Sequence, residues 1–173
     1  MNIRRAAVVL GCLVAVALAG CHTPRVVLQQ PTATAFNDVG SNGQVLVPDR
    51  DMAVRRAELQ LTAESWAADK AKAVGSDVLL MILDDTHATL AVGYVPRADV
   101  PTEQGEWAGA DLDRRVRLEA GRTYVLRVIE VSRGGAFGWN NYGFAKGNRY
   151  PPGGLTSRFT LEDDLDYAFR LLD

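Results

Sequence analysis

Asp77-Val78-Leu79-Leu80-Met81-Ile82-Leu83-Asp84-Asp85-Thr86-His87-Ala88-Thr89-Leu90-Ala91-Val92-Gly93-Tyr94-Val95 decides how this chain folds. The unbroken apolar run from Val78 to Leu83, fenced by aspartates, has the length of a strand and suits one covered on both faces. Asp84-Asp85-Thr86-His87 has the chemistry of a turn, because aspartate hydrogen-bonds its own local backbone. Residues 90–95 then return as the partner strand. The stretch predicts an antiparallel hairpin at the centre of the fold.

Toward the C-terminus, a loop containing Pro96, Pro101, Gly105 and Gly109 leads to a second expected hairpin, with strands 114–118 and 122–132 joined through Glu119-Ala120-Gly121. In its later strand Tyr124, Leu126 and Val128 alternate with Val125, Ile129 and Val131, so both faces are apolar and the strand should be interior. Residues 158–161 and 167–172 read as further strands, the last with Tyr167, Phe169 and Leu171 on one face. On the other side of the central hairpin, 63–74 reads as a helix: Thr62 can cap it, Glu64 sits in the first turn, Lys70 and Lys72 lie near its end, and Gly75 follows. Ala63, Trp66, Ala67, Ala71 and Val74 share one face, which makes Trp66 a core anchor.

Several short strands at hairpin spacing with one helix predict a mainly β fold, a small antiparallel β-sandwich with a helix at about 63–74; the alternative is an α+β sheet with the helix on one face. Residues 77–85, 118–128 and 166–172 resemble the β-sandwich modules appended to secreted bacterial peptidases. In those an "aG-tTY" turn precedes a central strand, as Ala120-Gly121-Arg122-Thr123-Tyr124 does here. No function is carried across that likeness.

The first twenty residues have the layout of an export signal: Arg4 and Arg5, an uncharged run over 6–18, then Ala19 and Gly20. The run is shorter than the roughly 20 apolar residues a bilayer-spanning helix needs. Leu18-Ala19-Gly20-Cys21 resembles the lipobox of bacterial lipoproteins. The resemblance implies cleavage before Cys21, diacylation of its thiol and acylation of the new amino terminus, which anchors stably where one chain would not. In Gram-negative members of that group an aspartate after the cysteine retains the protein in the inner membrane. His22 stands there, which implies the outer membrane, facing the periplasm.

The expected organisation is a signal peptide over 1–20, a lipidated N-terminus and tether over 21–48 rich in Thr, Gln, Asn, Gly, Ser and Pro, and one globular β-rich domain over 49–173. The apolar patches 26–28 and 45–47 have room for short edge strands. The formal net charge is −2, and the signal carries two of the nineteen basic residues and none of the twenty-one acidic ones. The mature chain is therefore more acidic still, and its overall charge points neither to nucleic acid nor to an anionic membrane surface. Cys12 leaves with the signal and Cys21 is lipidated, so no disulfide, cysteine nucleophile or cysteine metal site is expected.

Of the two histidines, only His87 lies within the domain, in a turn beside Asp84 and Asp85. No serine stands in a nucleophile context such as G-x-S-x-G. Glu162-Asp163-Asp164-Leu165-Asp166 lacks the alternating ligand pattern of a calcium loop and reads as a solvated acidic turn. No cofactor or metal is expected. The unusual segment is 134–154, where five aromatics stand among glycines and prolines; it is too apolar for a plain linker. Trp139, Asn140, Asn141, Tyr142, Phe144, Arg149 and Tyr150 could form a rigid amphipathic surface for an envelope protein or glycan, or their rings could close the core. The expected function is a non-enzymatic binding or assembly module on a membrane anchor. The alternative is a hydrolase of envelope glycans or peptides working through Asp84, Asp85 and Asp164, with carboxyl groups roughly 5–10 Å apart if the substrate is a glycoside.

Overall fold

A computed structural model describes residues 24–31, 33–37, 43–63, 76–131, 140–146, 155–157, 160–162 and 165–173. Among them, β1 (Val26–Gln30), β2 (Ala35–Asn37), β3 (Gly43–Leu46) and β4 (Met52–Ala63) precede the hairpin of β5 (Asp77–Leu83) and β6 (Thr89–Val95). After it come β7 (Trp107–Leu118), β8 (Tyr124–Val131), β9 (Asn140–Lys146), β10 (Leu155–Ser157), β11 (Thr160–Glu162), β12 (Leu165–Tyr167) and β13 (Phe169–Leu172). The only described helical element is the short 3-10 turn Arg97–Asp99. No helix among the described residues is long and apolar enough to cross a membrane. The chain is mainly β and antiparallel, as its sequence implies, and the sheet curls into a half-barrel around the core.

The central hairpin lies where the apolar run places it. β5 pairs with β6 on one side and with β8 on the other, from Asp77↔Val131 to Leu83↔Val125. Val78, Leu80 and Ile82 are buried to the last ångström, and Asp84 turns the chain by accepting from the Thr86 N–H at 2.9 Å, the Thr86 hydroxyl at 2.7 Å and the Ala88 N–H at 2.9 Å.

The second expected hairpin is a corner instead. β7 lies between β4 and β6, and β8 lies between β5 and β3, so the spatial order β8-β5-β6-β7 is that of a Greek key. Because the sheet curls, five residues suffice to cross from one flank to the other. Gly121, at φ 72°, makes the bend and donates its N–H to the Pro48 carbonyl at 2.8 Å. The Glu119 N–H donates to the Tyr124 hydroxyl at 3.0 Å, a tyrosine corner of the kind seen in Greek-key sandwiches.

Within the stretch 21–48, β1, β2 and β3 contribute strands, two of them at the apolar patches 26–28 and 45–47. β1 pairs with β13, and β3 sits between β8 and β10 instead of at an edge. Gln44, in a stretch whose polarity suggests a tether, is fully buried. Its amide donates to Asp166 Oδ1 at 2.9 Å and accepts from the Tyr167 N–H at 2.8 Å, which stitches β3 to β12. Asp166 is therefore interior, not part of a solvated turn; Asp163 and Asp164 lie outside the described residues.

β4 has no counterpart in the sequence reading. Its inward residues are Met52 and Val54, then Ala57, Leu59, Leu61 and Ala63, so the two-residue period slips one place at Arg55-Arg56. Ala63, expected to open a helix, ends this strand instead; Trp66 and the rest of 64–74 lie outside the described residues. Tyr167, Phe169 and Leu171 are all buried, as the alternation implies, but Ala168 divides them between β12, which pairs with β9, and β13, which pairs with β4.

Candidate functional site

The aromatic segment proves to be partly sheet. β9 runs through its middle and pairs in turn with β4 (Asn140↔Ala63, Asn141↔Thr62), β2 (Tyr142↔Asn37, Phe144↔Ala35) and β12 (Phe144↔Tyr167). Tyr142 is fully buried, its hydroxyl donates to Glu130 Oε1 at 2.8 Å, and its ring lies 5.7 Å from that of Tyr167. As a partner contact Tyr142 is thus corrected: it belongs to the core, because a large ring with a satisfied hydroxyl is worth more buried than wet. Asn140, Asn141 and Phe144 are placed by their backbone in β9, while Trp139, Arg149, Tyr150 and the lipidation site Cys21 lie outside the described residues.

Asp84 and Asp85 stand at the tip of the β5–β6 hairpin. The hydroxyl of Thr86, helped by the Ala88 and Thr86 N–H groups and the charge of Arg122, holds the Asp84 carboxyl below the usual carboxylate range. Asp85 pairs with Arg122 at 3.4 Å, and His87 adopts φ 63° at the end of the turn. Both carboxylates serve local structure, and the third member of the expected set, Asp164, lies outside the described residues. No group of three or more histidine, cysteine, aspartate or glutamate side chains able to hold a metal occurs among the described residues.

A concentration of charge that the sequence pattern does not announce lies on β4, β7 and the residues just before β1. Where β4 slips phase, β7 slips further: Val54 pairs with Val116 and Arg56 with Asp111, so residues 112–115 bulge opposite Arg55 alone. Bulges re-aim side chains, and this one turns Asp113, Arg114 and Arg115 to solvent. Asp113 fastens it to β6 by accepting from the Val92 N–H at 2.9 Å. Arg114, with that N–H, keeps the Asp113 carboxyl below its usual range.

Beside the bulge, Glu58 is nearly buried between two cations, bound to Arg56 Nε at 2.7 Å and to Arg170. Arg56 also reaches Asp111 at 3.2 Å and the Gly109 carbonyl at 3.2 Å; although burial opposes its charge, Glu58 and Asp111 hold its guanidinium above the usual value. The Arg170 guanidinium sits 4.3 Å from the centre of the Trp107 ring. Gly109 makes this packing possible, since a Cβ there would come within 2.4 Å of Glu58 Cγ and of the Ala57 carbonyl oxygen.

Two open grooves, of about 930 and 540 Å³, adjoin along this flank and share Arg25, Arg115 and Asp173. Every aspartate lining them is taken by an arginine: Asp111 by Arg56, Asp51 by Arg117 at 2.7 Å, and Asp173 by Arg115 at 2.7 Å. Arg25, Arg50 and Arg55 are exposed and have no ion pair among the described residues. The signal in sequence was the doublet Arg55-Arg56 and the cluster Arg114-Arg115-x-Arg117, hidden by a negative net charge.

No protein-family model matches this chain, and no curated protein matches it.

Proposed function

We propose that this chain is a lipoprotein of the bacterial envelope, held at the periplasmic side of the outer membrane by acylated Cys21, whose β domain is a non-enzymatic binding or assembly module. The observation that carries the reading is Leu18-Ala19-Gly20-Cys21, preceded by Arg4-Arg5 and the uncharged run 6–18. β1 starts at Val26, five residues past that cysteine, so the described sheet lies close along the chain to the proposed anchor. His22 in place of aspartate supports the outer membrane.

The partner is an envelope protein or a glycan, and the candidate contacts are Trp139, Asn140, Asn141, Phe144, Arg149 and Tyr150. The turn-bound carboxylate of Asp84, held below its usual range, favours this reading over hydrolysis, since a general acid needs its pKa raised.

Expression of the full chain in a Gram-negative host tests the anchor. The membrane fraction should yield a protein whose first residue is Cys21, heavier than its sequence by three acyl chains and a glycerol link, and Cys21→Ser should abolish both the processing and the added mass. A mature chain starting elsewhere, or one of unmodified mass, would refute it.

A further inference from the structure

We infer that the arginine-rich flank of β4 and β7 is the face on which the domain lies against its membrane, and that it engages the phosphate groups of anionic phospholipids. The inference rests on the acylation of Cys21 and adds to it an orientation and a second binding term.

Three observations converge. Charge is the first: the two adjoining grooves are lined by seven arginines and three aspartates, in a chain whose formal net charge is −2. Each of those aspartates is already neutralised by an arginine, so what the flank offers an incoming anion is the set Arg25, Arg50 and Arg55, with the outer faces of Arg114, Arg115 and Arg117. Arginine suits this, because its planar fork meets phosphate oxygens two at a time and sheds water more readily than an ammonium.

Position is the second. Arg25 and Pro24 line the larger groove, and Arg25 follows Cys21 by four residues, a span of at most about 14 Å for an extended chain. The acyl chains therefore enter the bilayer beside this flank. At physiological salt the screening length is about 8 Å, so the cations that the anchor brings within that distance of the headgroups keep much of their attraction.

Shape is the third. The bulge at 112–115 lifts Arg114 and Arg115 clear of the sheet, and the slip at Arg55-Arg56 turns Arg55 outward beside them, so these cations stand at one edge of the flank and not in scattered alternation. Each basic residue near an anionic surface strengthens association by about fivefold, and an acyl anchor joined to a basic patch is a recognised pair of membrane signals.

The test uses residues 21–173 with Cys21→Ser, which contains all thirteen described strands and lacks the acyl chains. Cosedimentation should give binding to vesicles of phosphatidylcholine with phosphatidylglycerol about a hundredfold tighter than to phosphatidylcholine alone, weakening as salt rises. R25Q/R50Q/R55Q should remove most of that preference, whereas R97Q/R127Q, at exposed arginines outside both grooves, should leave it. Equal partition into the two vesicles overturns the proposal, as does a triple variant that binds like its parent. Loss of the same size in R97Q/R127Q would assign the effect to overall charge and not to this face. If inorganic phosphate competes the protein off the vesicles at equal ionic strength, the flank is a small-anion site instead. The mass of the full chain tests acylation separately, so an unmodified Cys21 and a domain indifferent to anionic lipid are distinguishable failures.

Discussion

Tyr142 and Gly109 each do one job that no other residue type could do in its place. Tyr142 fills the core under β9 and gives its hydroxyl to Glu130, so Tyr142→Phe should cost about 1 kcal/mol for the lost hydrogen bond and Tyr142→Ala about 3–5 kcal/mol for the cavity. Denaturant titration of the two variants gives both numbers; a Tyr142→Ala protein as stable as its parent would return this residue to the surface. Gly109 on β7 leaves room for Glu58, whose carboxylate joins Arg56 on its own strand to Arg170 on β13. Gly109→Ala should cost about 1–3 kcal/mol by displacing Glu58, and Glu58→Gln should relieve none of that loss, since the amide fills the same space. Neither role is legible in sequence. Glycine and glutamate mean nothing together until the register sets them side by side, and Tyr142 sits among exposed-looking neighbours that conceal a strand.

At the scale of elements, what could be read was what repeats. The run Val78–Leu83 and the alternation from Tyr124 to Val131 announce strands by period alone, and both lie within a residue or two of where they were expected. β4 is not legible in the sequence because its period slips at Arg55-Arg56, so neither half is long enough to declare itself. The expected pairing of 114–118 with 122–132 fails because a tight connection says how far the chain travels and not which strands it pairs; curvature decides that. The corner built in its place has its own signature. Asp51 accepts from the Ala120 N–H at 3.0 Å and pairs with Arg117, and these two contacts, in that order, depress its carboxyl below the usual range. Asp84 and Asp113 are depressed likewise. A carboxylate whose folded pKa lies below its unfolded value contributes fully at neutral pH and loses that contribution as the pH falls through the folded value. Melting temperature should therefore hold down to about pH 5 and decline below about pH 4. Asp51→Asn and Asp84→Asn should lower the plateau and flatten the decline, and an unchanged acid limb in the double variant would take these turns out of the account.

The whole molecule is held by contacts between residues far apart in the chain. Gln44 reaches Asp166 and Tyr167 across more than a hundred residues, and its removal takes one hydrogen bond from a buried carboxylate and one from a buried N–H. Gln44→Leu should destabilise the protein by about 2–3 kcal/mol, read as a shift in denaturant midpoint with an unchanged slope. A shift of less than about 0.5 kcal/mol would mean that other groups satisfy both atoms. That a polar stretch should contain this buried residue is not legible in composition, which separates wet from dry on average, and a buried amide is the exception that composition averages away.

The pairing of β1 with β13 also sets the order in which the molecule can be completed. Val26↔Leu172 and Gln30↔Phe169 join the first described strand to the last, and the Arg25 and Asp173 backbones exchange hydrogen bonds beyond them. A ribosome delivers Val26 early and Leu172 late. Among the described strands β1 pairs with β13 alone, so this ladder closes only after the chain has grown by well over a hundred residues beyond β1.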